Sequence, residues 1–298
     1  MEKVILEDQG LRDGLQSLPE RVPTERKLDY INRLIDAGVR RLQVASFVHP
    51  KLVPQMSDAE EIIANLPKRA DIVFSGLVLN AKGVERAAKT GLKHLAVSLS
   101  ASETHSQRNA RMSISAAKIE FQQMISLAKS AGITVRGGIQ CAFGCRYEGG
   151  VSEAVVLDLV RHHVDSGVEE LALADSTGMG NPLQMRRLMS EILAIAGNIP
   201  VALHLHNTEN KGYANVFAAL DAGVRQFDTA FGGLGGCPFI RNATGNIATE
   251  DTALMLHQMG FETGIDVAKI SALSLDFQQF IGRGLAGLVY KLVRDKVV

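Results

Sequence analysis

Five times along this chain a glycine separates a helical pattern from a short apolar run. Ala37-Gly38-Val39 precedes Arg41-Leu42-Gln43-Val44, and Thr90-Gly91-Leu92 precedes His94-Leu95-Ala96-Val97. The same joint recurs at Ala131-Gly132-Ile133, Ser166-Gly167-Val168 and Ala222-Gly223-Val224. A glycine placed there ends a helix and releases the chain into a strand, which is the return of a βαβ unit. Strands are expected over residues 4–7, 41–46, 72–77, 95–100, 134–140, 170–174, 201–206 and 226–230, with helical patterns in most intervals. Eight such strands predict a closed (β/α)8 TIM barrel followed by a C-terminal helical segment. The 298 residues, 46% of them hydrophobic, are expected to form one domain over 1–298. A doubly wound open sheet shares much of the pattern, but no Gly-x-Gly-x-x-Gly loop follows the first strand. The clearest helix spans 153–164, with Val156, Leu159, Val160 and His163 or Val164 on one stripe, and Thr24 is the expected cap of the first helix.

Charge narrows the partners. Lys+Arg and Asp+Glu both total 32, without a long basic block, so a nucleic-acid footprint is not expected, while small anionic ligands are allowed. The three cysteines form no dense framework, and no apolar run approaches a membrane span. Met1-Glu2-Lys3-Val4 lacks the hydrophobic stretch of a secretory signal, and a cytoplasmic enzyme is expected.

Leu203-His204-Leu205-His206-Asn207 sets two imidazoles two residues apart in a strand-like run, so both project from one face. Asp13, which follows the first apolar strand, adds a hard oxygen donor, and Asn246 can complete the set through a neutral amide oxygen. Such N/O coordination suits a divalent metal with exchangeable positions, and does not by itself separate Mg2+, Mn2+, Co2+ and Zn2+. The histidine spacing alone also allows a structural role; the addition of Asp13 favours the metal. Arg12 would stabilise a developing oxyanion or enolate, or else form a salt bridge to a neighbouring carboxylate. Glycines in 232–236 can carry Cys237 across a site where its thiol exchanges a proton; the alternative is a passive cysteine. Asp175, at another strand end, either contacts substrate or orients a ligand, or caps the turn beginning Ser176-Thr177-Gly178. Cys141 and Cys145 lack a local partner for a closed zinc site and are read as loop packing or substrate shaping. His49, His94, His105, His162, His163 and His257 are read as structural or solvent-facing.

Taken in order, Arg12-Asp13-Gly14-Leu15-Gln16, Ser46-Phe47-Val48 with Pro50-Lys51 and Val53-Pro54-Gln55-Met56, residues 141–149, Asp175-Ser176-Thr177-Gly178, His204-Leu205-His206, residues 233–238 and Gly245-Asn246-Ile247-Ala248-Thr249-Glu250-Asp251 resemble the hydroxymethylglutaryl-CoA lyase family. That family lies within the metal-dependent aldolase and acyltransferase barrels. The resemblance covers nearly the entire chain, and Gly-Leu-Gly-Gly-Cys-Pro favours the lyases over isopropylmalate-type synthases. It implies retro-Claisen cleavage of a 3-hydroxyacyl-CoA, with acetoacetate and acetyl-CoA the products from 3-hydroxy-3-methylglutaryl-CoA. Asp13, His204, His206 and Asn246 would hold a divalent ion, Mg2+ or Mn2+ first, and no nicotinamide or flavin is required. Arg12 would stabilise the enolate, Cys237 would take part in proton transfer, His204 in acid/base chemistry, and Asp175 would line the substrate site. The resemblance also implies a homodimer.

The chain departs from the family pattern at Gln43, where a glutamate is characteristic. Glutamine keeps the length and hydrogen bonding but removes a charge, which makes residue 43 a specificity candidate and a larger or differently substituted hydroxyacyl-CoA an alternative substrate. His49 and Asn207 depart as well. Lys51, Arg283 and Lys291 are candidate contributors to CoA phosphate binding, and 289–293 would cover the barrel or support an interface. A second reading is an acetyl-CoA-dependent Claisen synthase acting on a 2-oxo acid, although the compact chain favours the lyase. A third is a non-catalytic organic-acid-binding protein.

Overall fold

The computed structural model describes residues 1–236 and 245–294, so Cys237 lies outside the described residues. Eight strands follow in chain order: β1 (Ile5–Asp8), β2 (Arg41–Ser46), β3 (Val73–Val78), β4 (His94–Ser100), β5 (Thr134–Gln140), β6 (Glu170–Asp175), β7 (Val201–Leu205) and β8 (Gln226–Thr229). They close into a barrel in that order. The pairing is parallel, with Ala96 opposite Arg136 between β4 and β5, Gly138 opposite Ala172 between β5 and β6, and Ala174 opposite His204 between β6 and β7. Each strand expected from the sequence lies within one residue of these bounds at either end.

Helices α1 (Thr24–Asp36), α2 (Ala59–Ala64) and α3 (Ala81–Ala88) follow the first three strands. Two helices, α4 (Glu103–Ala110) and α5 (Ile114–Ser130), follow β4. The barrel series continues with α6 (Glu153–Asp165), α7 (Pro182–Ala196), α8 (Gly212–Asp221) and α9 (Thr249–Gln258). Beyond it come α10 (Val267–Ile281) and α11 (Val289–Arg294), the expected C-terminal helices. A short parallel pair, Glu2–Lys3 with Phe261–Glu262, lies outside the barrel.

Four of the five repeated glycines act as the sequence requires. At the end of α5, Gly132 N donates to Lys129 O at 2.9 Å and Ile133 N to Ala128 O at 3.0 Å, with Gly132 at φ +66°. These are the two bonds of a Schellman cap, whose left-handed residue strains any side chain and whose next residue is an apolar plug. The same pair of bonds closes α1 at Gly38, α6 at Gly167 and α8 at Gly223. Helix α6 buries Val156, Leu159, Val160 and His163, as its periodicity predicts. Thr24 corrects one expectation. It opens α1 without a side-chain cap, and its hydroxyl instead donates to Asp58 Oδ2 at 2.9 Å. Asp58 also receives Lys27 Nζ at 2.8 Å in a buried pair, so the hydroxyl is drawn to a carboxylate already fixed beside the helix start.

The chain divides into two compact units, Met1–Ser75 with Phe227–Val298, and Gly76–Gln226. The first has an aromatic centre in which Tyr30, Phe231 and Phe277 meet with ring centroids 5.4 to 5.9 Å apart. In the second, Phe121 stacks on His163 at 4.1 Å, and a Cβ at Gly137 would stand 2.7 Å from the His163 ring. Burial pushes the His163 pKa down to about 3, so the ring packs as a neutral aromatic and its Nε2 meets Gly138 O at 3.2 Å.

Candidate active site

Beyond β1 the chain tightens into a π turn, Gly10–Gly14. Gln9 N donates to Thr229 O of β8 at 2.7 Å, while Arg12 N and Gly14 N both donate to Gln9 O at 3.1 Å. The five-residue closure swings Arg12 and Asp13 past the strand end, a geometry common where backbone is bent to serve a site. Arg12 is buried, and its guanidinium has three partners: Nε donates to Gln43 Oε1, Nη2 to Gln9 Oε1 and Nη1 to Asp13 Oδ1. Asp13 Oδ2 accepts from Asn246 Nδ2 at 2.9 Å, and the same nitrogen donates to Leu234 O at 2.9 Å. Asn246 Oδ1 is buried without a hydrogen-bond partner. Gly235 has φ +123°, and a Cβ there would stand 2.6 Å from Asn246 Nδ2 and 3.3 Å from Asp13 Oδ2, so a side chain would press on both.

His204 and His206 come from the end of β7. Both are buried, with Nε2 atoms 3.1 Å apart and rings tilted by 50° at 5.1 Å. The alternation of the strand puts them on one side, as the His-x-His spacing predicts. One ligand atom from each of Asp13, His204 and His206 lies within 4.8 Å of the others, and among the described residues no second group of this kind occurs. Two imidazole nitrogens and a carboxylate oxygen make a donor set for a divalent ion, and the orphaned amide oxygen of Asn246 adds a fourth candidate of suitable chemistry.

Asp175 ends β6, where its two carboxylate oxygens accept Met179 N and Gly180 N, each at 3.0 Å. This is the turn-capping geometry that the sequence left open beside a substrate role. Burial raises its pKa to about 6, against the lowering effect of those two bonds. Cys141 and Cys145 are buried; Ser102 Oγ lies 3.0 Å from Cys145 Sγ, and burial pushes the Cys141 thiol well above its usual range. That environment keeps the Cys141 thiol protonated and supports the loop-packing reading. His49, His94, His105, His162, His163 and His257 all stand outside the Asp13 group.

Four residues to which the sequence assigned no role, Asp8, Gln9, Asp228 and Glu250, hold the site's frame. Buried Asp8 accepts Gly10 N and Phe231 N, each at 2.8 Å, and Thr249 Oγ1 at 2.6 Å. Buried Glu250 accepts Gly232 N and, at 2.8 Å, Ser274 Oγ, which secures the start of the glycine-rich segment. Gln9 holds Arg12, and Gln9 Nε2 donates to Asp228 Oδ2 at 2.8 Å. Asp8 and Gln9 directly precede the Gly-Leu-Arg-Asp run, and that adjacency was the available signal.

A family model described as HMGL-like matches residues 3–276. The chain belongs to the HMGL-like family. Among members of known activity, it is 40% identical over 301 aligned residues to the (R)-citramalyl-CoA lyase of Chloroflexus aurantiacus, covering 98% of this chain and 95% of that one. It is 35% identical to the hydroxymethylglutaryl-CoA lyase YngG of Bacillus subtilis, covering 95% of each. The solved structure of an HMG-CoA lyase from Acinetobacter baumannii, in complex with coenzyme A and 3-methylmalate, superposes with a TM-score of 0.93 at 38% identity, covering 97% of this chain and 94% of that one.

Proposed function

We propose that this HMGL-like protein is a divalent-metal-dependent carbon–carbon lyase that cleaves a 3-hydroxyacyl-CoA with a distal carboxylate. The observation that carries the reading is the meeting of Asp13, His204 and His206 in a chain whose relatives are acyl-CoA lyases. Asp13, His204, His206 and Asn246 are the residues assigned to the ion, and Mg2+ or Mn2+ is assigned to them on the family resemblance. When bound, the ion would supply Lewis-acid polarisation to substrate oxygens. The tertiary hydroxyl gives up its proton, and the bond between C2 and C3 breaks. Its electron pair passes to the thioester side as an enolate, C3 becomes a ketone, and C2 takes a proton. Arg12 is assigned to the enolate oxygen, where a permanent charge acts most strongly as negative charge develops. Cys237 is assigned to proton delivery, His204 to acid/base assistance, and Asp175 to shaping the substrate site through the turn it holds.

Two substrates follow from this chemistry. 3-Hydroxy-3-methylglutaryl-CoA would give acetyl-CoA and acetoacetate, while citramalyl-CoA, one methylene shorter, would give acetyl-CoA and pyruvate. The neutral Gln43 beside Arg12 and the 40% identity to a citramalyl-CoA lyase favour testing both. The same reading takes residues 1–298 as one catalytic domain of a cytoplasmic enzyme and, on the resemblance alone, as a homodimer. No helix among the described residues is long and apolar enough to cross a membrane.

The test is to incubate Mg2+- or Mn2+-loaded protein with each acyl-CoA and identify products by mass spectrometry. Acetyl-CoA with acetoacetate or pyruvate, abolished by chelation and restored by the ion, is the expected result. Intact substrates throughout, with metal bound, would overturn the reading.

A further inference from the structure

Arg12 has one charged hydrogen-bond partner, Asp13, and two neutral ones, the side-chain oxygens of Gln9 and Gln43. If Asp13 faces an ion, the two glutamines are what aims the guanidinium. A glutamine has an ambiguous tip, since its oxygen accepts and its nitrogen donates, and only a partner of fixed polarity decides which end points where. Gln9 has that partner. Its Nε2 donates to Asp228 Oδ2 at 2.8 Å, both residues are buried, and a carboxylate can only accept. The carboxylate therefore draws the amide nitrogen to itself and leaves Oε1 toward Arg12. The backbone fixes the same residue, since Gln9 N donates to Thr229 O, the residue after Asp228, and Gln9 O accepts both turn bonds that carry Arg12 and Gly14.

We propose that Gln9 is a positioning residue for Arg12, set in its orientation by Asp228, so that a chain Asp228–Gln9–Arg12 aims the guanidinium at the developing enolate charge. It contacts no reacting atom and acts only through Arg12. The inference rests on the lyase reading above, and it adds a determinant of turnover to that reading.

A double-mutant cycle on the metal-loaded enzyme tests it. Gln9→Leu keeps the bulk and removes both amide bonds; Asp228→Asn keeps the shape and removes the fixed acceptor. Misaiming a charge-stabilising group should cost turnover and leave ground-state binding, so Gln9→Leu is expected to lower kcat roughly tenfold or more, with KM changed less than about twofold. Asp228→Asn should move kcat in the same direction by a smaller factor. In an Arg12→Ala background Gln9→Leu should change kcat less than about twofold, because the group it positions is gone. A similar fall in both backgrounds, or an unchanged kcat in wild-type background, would overturn the proposal. Should Gln9→Leu fail to fold, Asp228→Asn combined with Arg12→Ala completes the cycle, and additive losses there overturn it equally. Absence of any acyl-CoA cleavage by the wild-type protein overturns the lyase reading and this inference together, which separates the two failures.

Discussion

At the scale of single residues, the site rests on a few atoms whose partners are fixed by polarity. His206 offers a nitrogen to the same group as His204 and Asp13, so truncation to alanine removes one of its donors. His206→Ala is expected to weaken Mn2+ binding by at least about tenfold and abolish most turnover, with the metal-free unfolding midpoint within a few degrees of wild type. Titration calorimetry beside a turnover assay checks both. Gln43 stands where the family resemblance implies a glutamate, and it accepts a bond from Arg12 Nε. Gln43→Glu would place a second carboxylate on the guanidinium and draw part of its field away from substrate. The ratio of kcat/KM for the two proposed acyl-CoA substrates should shift by at least about threefold, since one pair of charges is worth on the order of 1 kcal/mol even when partly solvated. Equal changes for both substrates in a competition assay would show that residue 43 does not set specificity.

At the scale of elements, the glycine-rich segment after β8 is anchored by buried carboxylates. Glu250, in the first turn of α9, accepts Gly232 N from that segment and Ser274 Oγ from α10. Burial raises its pKa from 4.5 to about 8. The native state therefore keeps a proton that the unfolded chain releases, and stability from this group is full below about 4.5 and lost as pH rises through about 8. Glu250→Gln, which cannot ionise, should flatten that slope. Its stability relative to wild type should rise between pH 5 and pH 9 in urea titrations, and a difference independent of pH would refute the assignment. The barrel elements themselves were legible, because the Schellman glycines and the alternation of apolar residues are local signals. The cap at Thr24 was not, since its hydroxyl is drawn to Asp58, which is 34 residues away.

At the scale of the whole molecule, folding and ion binding are linked. An ion held by Asp13, His204 and His206 only in the folded state stabilises by about 2.7 kcal/mol at a hundredfold excess over its dissociation constant. Adding Mn2+ should raise the unfolding midpoint of the wild-type protein and leave that of Asp13→Ala nearly unchanged in scanning calorimetry. An equal rise in both would place the stabilising ion elsewhere.

By itself the sequence determined the succession of strands and helices, the common side of His204 and His206, and the place of Arg12 and Asp13 just past the first strand. Each of these follows from a local rule, whether the two-residue period of a strand or the left-handed conformation that a glycine tolerates. Tertiary structure alone decided what those residues touch. Gln9 meets Asp228 across 219 positions of sequence, and Asn246 meets Asp13 across 233. Asp175 took the turn because two backbone N–H groups met its buried carboxylate there. Such pairs form only when closure of the sheet brings distant strand ends together, and a buried polar group then takes whatever partner keeps it from going unsatisfied.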